Sequence, residues 1–116
     1  MEQFKVVITS DADKDMDEIF EYISQKLHVP NAAANLVERI YNALKYLSAM
    51  PKRFPLSRDS FLAKQGFHIL PIVNYLAFYV VDSAKKRVIV HRVISGKRNY
   101  TKLFLSSEQY PEEDIL

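Results

Sequence analysis

The ten-residue stretch HRVISGKRNY, His91 to Tyr100, gathers an imidazole, three cations and a phenol around Gly96, one of two glycines in the chain. Each of these side chains has a chemistry of its own. His91 can take or give a proton near neutral pH. Arg98 can grip a phosphate through two parallel N–H donors. Tyr100 can donate a proton or stack on a base. Lys97 and Lys102 add positive charge beside them. A plainer reading competes at every position: a half-exposed strand histidine without a task, solvated cations and a capping aromatic.

The elements that must carry this stretch follow from periodicity. Residues His91 to Ile94 end a β-branched run from Arg87, a strand, and Gly96 permits a positive φ where the chain turns away. Upstream, Tyr75 to Asp82 and Gly66 to Ile72 read as two further strands, with the polar link DSAKK, Asp82 to Lys86, as a hairpin connection. The chain opens on a short strand, Gln3 to Ser10. Ser10 then reads as a helix N-cap, with Asp11, Asp13 and Asp15 over the first turn, where the helix dipole favours acids. Met16, Ile19, Phe20, Ile23 and Leu27 form one apolar face until Pro30, and Leu36, Val37, Ile40, Leu44 and Leu47 repeat it until Pro51. Residues 51–65, with two prolines and no sustained period, read as a loop. The expected fold is therefore α+β: an N-terminal strand, an antiparallel helical hairpin over about residues 11–50, and an antiparallel three-stranded meander with the helices on one sheet face.

Strict alternation along the last strand puts Val88, Val90, Arg92 and Ile94 on one side and Ile89, His91 and Val93 on the other. If the valines face the helices, Arg92 is partly buried with them and needs a carboxylate, for which the acids of the first helix, Asp17 among them, are the nearest candidates. His91 then lies on the open face of the sheet, free to titrate.

Composition narrows the partners. At 116 residues the chain is expected to hold one domain, residues 1–104, followed by an acidic tail over 105–116. It is 48% hydrophobic and 26% charged, the balance of an ordinary globule. No apolar run of membrane-spanning length and no signal peptide is read, so a cytoplasmic protein without membrane contact is expected. With no cysteine and no ligand spacing among His28, His68 and His91, neither a metal site nor another cofactor is expected. Residues 1–50 hold 5 Lys/Arg against 8 Asp/Glu, residues 51–107 hold 11 against 2, and residues 108–116 hold 0 against 4. A basic segment between acidic ends suits phosphates or an acidic protein partner, or else is a solvated face.

Three stretches, VVITSDADKDMDEIFEYI at Val6 to Ile23, NYLAFYVVD at Asn74 to Asp82 and VIVHRVISGKRNY at Val88 to Tyr100, resemble toxins of the RelE/ParE superfamily from bacterial type II toxin-antitoxin systems. The resemblance implies a small cytoplasmic toxin held in a hetero-oligomer by a co-encoded antitoxin. It also implies one of two targets: DNA gyrase, poisoned without hydrolysis, or messenger RNA, cut at the ribosome by metal-independent chemistry. In the first case Lys97, Arg98, Tyr100 and Lys102 would bind the target. In the second, Arg98, Tyr100, His91 and His68 would form the catalytic set. Arg98 matches the arginine that follows the last strand in the family. The family tyrosine falls nearer Phe104, leaving Tyr100 as a shifted substitute. Ribonuclease members carry cations at alternate positions of the two middle strands, where this chain has Leu70 and Leu76 and only His68 is polar. The wording is closer to the ParE-like branch, which implies target binding without hydrolysis. A toxin fold that survives only as a binding module is the third class.

Overall fold

The computed structural model describes residues 3–26 and 28–96. Lys97, Arg98, Tyr100, Lys102, Phe104 and the tail expected over 105–116 lie outside the described residues.

The first strand, β1, spans Lys5–Ile8. Thr9, not Ser10, caps the helix that follows. Its hydroxyl oxygen accepts the Ala12 N–H at 3.2 Å and its proton points at the carbonyls of Val90 and His91, at 3.0 and 3.1 Å. One side chain thus satisfies a helix end and anchors it to the sheet. Helix α1, Ser10–Glu21, buries Met16 and Ile19 of the stripe read from the sequence, together with Ala12, whereas Phe20 is exposed. It runs into a π-helical turn at Tyr22–Lys26, and the chain reverses through His28 at φ 56°. Helix α2, Pro30–Tyr46, starts on a proline, whose missing N–H costs nothing there. The Tyr41 hydroxyl of α2 donates to Asp13 of α1 at 2.6 Å, tying the hairpin.

Within the stretch expected to be loop, Ser60–Lys64 forms a one-turn helix, α3. Asp59 caps it by accepting the Leu62 N–H at 3.1 Å, and Leu62 is fully buried. A five-residue helix is too short to display a 3.6-residue period, which is why its signal is absent from the sequence pattern.

Strands β2, His68–Ile72, β3, Tyr75–Asp82, and β4, Arg87–Ser95, complete a sheet of order β1-β4-β3-β2. β1 runs parallel to β4 and the other pairs are antiparallel. The α+β architecture is the one the sequence predicts, with α1 and α2 together on one face. There Met16, Ile19, Ile40 and Leu44 pack with Tyr79, Val88, Val90 and Val93. On the other face α3 brings Leu62 onto Phe78 and Ile94, flanked by Phe67, Ile69 and Leu76. Among the described residues, no helix is long and apolar enough to cross a membrane.

The phase of β4 departs from strict alternation. Phe78 pairs with Arg92 while Tyr79 pairs with Val90, so His91 is an extra residue, a β-bulge. The side chains switch faces across it. Val88, Val90 and Val93 all join the helix-side core, and Ile94 goes to the outer cluster.

Candidate functional site

The end of β4 is held by one buried ion pair. Arg92 Nε donates to Asp15 Oδ2 at 2.7 Å, Arg92 Nη2 to Asp15 Oδ1 at 2.9 Å, and the Val93 backbone N–H to Asp15 Oδ2 at 2.9 Å. Both residues are only 6% exposed. The expected partner, Asp17, is corrected to Asp15. Asp15 lies three residues from Ala12 and four from Ile19, on the stripe that faces the sheet, whereas Asp17 is turned out to solvent. Fork-to-fork geometry and the added backbone donor satisfy charges that would otherwise be costly to bury. The pair fixes α1 against the strand from which the chain leaves at Gly96.

Gly96 donates its N–H to the Asn74 carbonyl at 2.9 Å. Its φ is not positive, contrary to the turn expected from sequence; a Cβ there would lie 3.4 Å from that same carbonyl, so the position is one of close approach. Beside it opens a cleft of about 640 Å³, walled by Glu18, Ile19 and Tyr22 of the α1 side, Leu36 of α2, and Asn74, Tyr75 and Ser95 at the strand ends. Tyr75 has its pKa raised, by burial first and by nearby Tyr22 second, so its phenol remains a hydrogen-bond donor at neutral pH. Val73, on the rim, holds φ 56°, a conformation costly for a β-branched residue. Ile19 and Leu36 are legible in the sequence as parts of apolar helix faces, but none of these lining residues reads there as a site residue. The spacing of Asp15, Glu18, Ile19 and Tyr22 along one helix face was the available signal.

The two candidate histidines do not meet. His68 lies on the helix side, stacked on Tyr79 with ring centroids 5.1 Å apart and planes at 15°, and its Nδ1 is 2.7 Å from the Phe54 carbonyl. A carbonyl only accepts, so Nδ1 carries the proton. Burial pushes the Tyr79 hydroxyl to about 12, with the Phe54 backbone opposing, and that hydroxyl makes no well-formed hydrogen bond among the described residues. His91 lies on the outer side, its ring edge-on to Phe67 at 5.4 Å. The face expected to be open is thus partly covered, and burial lowers the His91 pKa below 6.5, with Asp11 pulling the other way.

The middle strands carry no cation on either face: Leu70 is packed under the helices and Leu76 lies in the outer cluster. Among the described residues, no three His, Asp or Glu side chains converge as a metal would require.

Against known proteins, residues 6–100 match the family of ParE toxins of the type II toxin-antitoxin system parDE. Three solved structures share the fold. The chromosomal ParDE system from P. aeruginosa aligns with TM-score 0.67 and 21% identity, covering 80% of this chain and 96% of that one. The RelBE2 toxin-antitoxin complex from Mycobacterium tuberculosis aligns with TM-score 0.55 and 21% identity, covering 80% and 98%. A mutant of the E. coli toxin RelE in the free state aligns with TM-score 0.61 and 12% identity, covering 86% and 90%. No curated protein matches the chain by sequence.

Proposed function

Since the chain belongs to the ParE toxin family of type II toxin-antitoxin systems, we propose that it arrests bacterial growth in the cytoplasm by binding and poisoning DNA gyrase, without cleaving RNA. A co-encoded antitoxin neutralises it in a hetero-oligomer, as befits a fold found in the ParDE system and the RelBE2 complex. Residues 1–104 form the toxin unit, and Lys97, Arg98, Tyr100 and Lys102 contact the target. The observation that carries the choice of target is the separation of the histidines: a proton-transfer pair must share one pocket, and His68 and His91 occupy opposite faces of the sheet. Missing cations on β2 and β3 point the same way, because a phosphorane needs positive charge beside it.

The test is supercoiling by purified gyrase. Wild-type protein blocks it, and Arg98→Ala, which keeps the fold, is at least about tenfold weaker, as expected for an arginine at the centre of an interface. Supercoiling untouched by wild-type protein contradicts the gyrase reading, and an Arg98→Ala variant of full potency contradicts the site.

A further inference from the structure

The end of the sheet opposite Gly96 has a chemistry that target binding at Arg98 does not use. Phe4 donates its N–H to the Ser48 carbonyl at 2.8 Å and Lys5 to the Lys86 carbonyl at 2.9 Å, so the start of β1, the end of α2 and the β3–β4 turn meet there. Lys5, Lys45, Lys52, Arg53 and Lys85 are all exposed on these segments. Asp82 is the acid of the turn, and its charge is engaged by Arg87 Nη2 at 3.3 Å and the Lys85 N–H at 3.1 Å.

An aromatic platform sits within this basic surface. The Arg53 guanidinium lies 5.9 Å from the ring centre of Tyr46 and 5.4 Å from that of Phe54. Held against two rings, its planar fork stays at the surface in a set position. Tyr46 is 61% exposed, and Met50 beside it is 50% exposed. A cation or two near the last turn of α2 is explained by the helix dipole alone. Lys85 is not, since it comes from a hairpin turn, and Lys5 points to the opposite face of the sheet.

Exposed lysines on segments that meet, with an exposed ring and a guanidinium held against it, match how proteins hold an unpaired phosphodiester chain: charge follows the backbone and a π-face receives a base. A duplex hides its base faces and can use only the charge. We propose that this end of the sheet binds single-stranded nucleic acid, its phosphates met by Lys45, Lys52 and Lys85 and one base stacked on the Tyr46–Arg53 pair. The site goes beyond the gyrase reading and stands or falls separately from it.

The experiment is fluorescence anisotropy of the full chain with labelled oligothymidylate and oligouridylate of about 15 nucleotides, and with a duplex of equal length, over a salt series. Single strands bind more tightly than duplex, and the relative strength of the deoxy and ribo strands identifies the natural source. Tyr46→Ala weakens single-strand binding about tenfold, and Tyr46→Phe retains it. Joint Lys45→Gln and Lys52→Gln substitution lowers the salt slope by about 1.4, whereas Lys14→Gln on α1 leaves it unchanged. Unaltered thermal midpoints show the variants folded. Absence of binding, tighter binding to duplex, indifference to Tyr46→Ala, or an equal effect of Lys14→Gln overturns the proposal.

Discussion

Against helix α1, Asp15 and Arg92 are buried with three matched hydrogen bonds between them and the strand, and on the helix side of the sheet His68 stacks on Tyr79 while its Nδ1 meets a carbonyl. On the outer side, the polar ring of His91 meets the ring of Phe67, which packs on the apolar cluster of Leu62, Phe78 and Ile94. The two faces of one sheet therefore treat polar groups differently. One face consumes them as structural fasteners and the other dilutes a single imidazole in hydrocarbon. A ribonuclease site needs several titratable and cationic groups in one place, and the bulge at His91 works against that by sending consecutive polar residues of β4 to different surroundings.

The contrast breaks most visibly at Asp15. Asp15→Ala leaves the Arg92 guanidinium buried without its partner and is expected to lower stability by about 3–5 kcal/mol in chemical denaturation. The outward-facing Asp17→Ala should change it by less than about 0.5 kcal/mol. Replacing both members, Asp15→Ala with Arg92→Met, should recover much of the loss, because the uncompensated charge is gone. A mild Asp15→Ala would mean that the helix side is not fastened by this pair.

How far the fold was legible follows from the same residues. The stripe Met16, Ile19, Ile40, Leu44 and the β-branched runs carry their periods openly, so the helices and strands emerge from pattern alone. The bulge does not, because one extra residue leaves HRVIS looking like an unbroken alternation, and its consequence is the exchange of Val93 and Ile94 between faces. Asp15 carries a legible signal, since an acid on an apolar stripe needs a buried partner, and Asp17 lies off that stripe. α3 and the cleft are set by contacts between segments distant in sequence, which local patterns do not encode. Lys97, Arg98, Tyr100 and Lys102 lie outside the described residues, so their assignment rests on sequence resemblance.

A smaller effect sharpens the outer face. Because burial holds the folded-state pKa of His91 below its unfolded value near 6.5, the unfolded chain binds the proton more readily, and the contribution of His91 is present above pH 6.5 and lost as pH falls below it. Between pH 7 and 5 the wild type should lose more stability than His91→Phe, as followed by denaturant midpoints. Equal losses in the two proteins would place His91 in water rather than against Phe67.

Ribosome-dependent cleavage of messenger RNA, read by primer extension with wild-type protein and with a combined His68→Gln, His91→Gln variant, tests most directly whether this molecule acts by binding rather than by proton transfer. The account predicts no cleavage by either protein and undiminished inhibition of gyrase by the variant. Cleavage by the wild type that drops by about 10² or more in the variant would contradict it, since that loss is the mark of general acid–base catalysis.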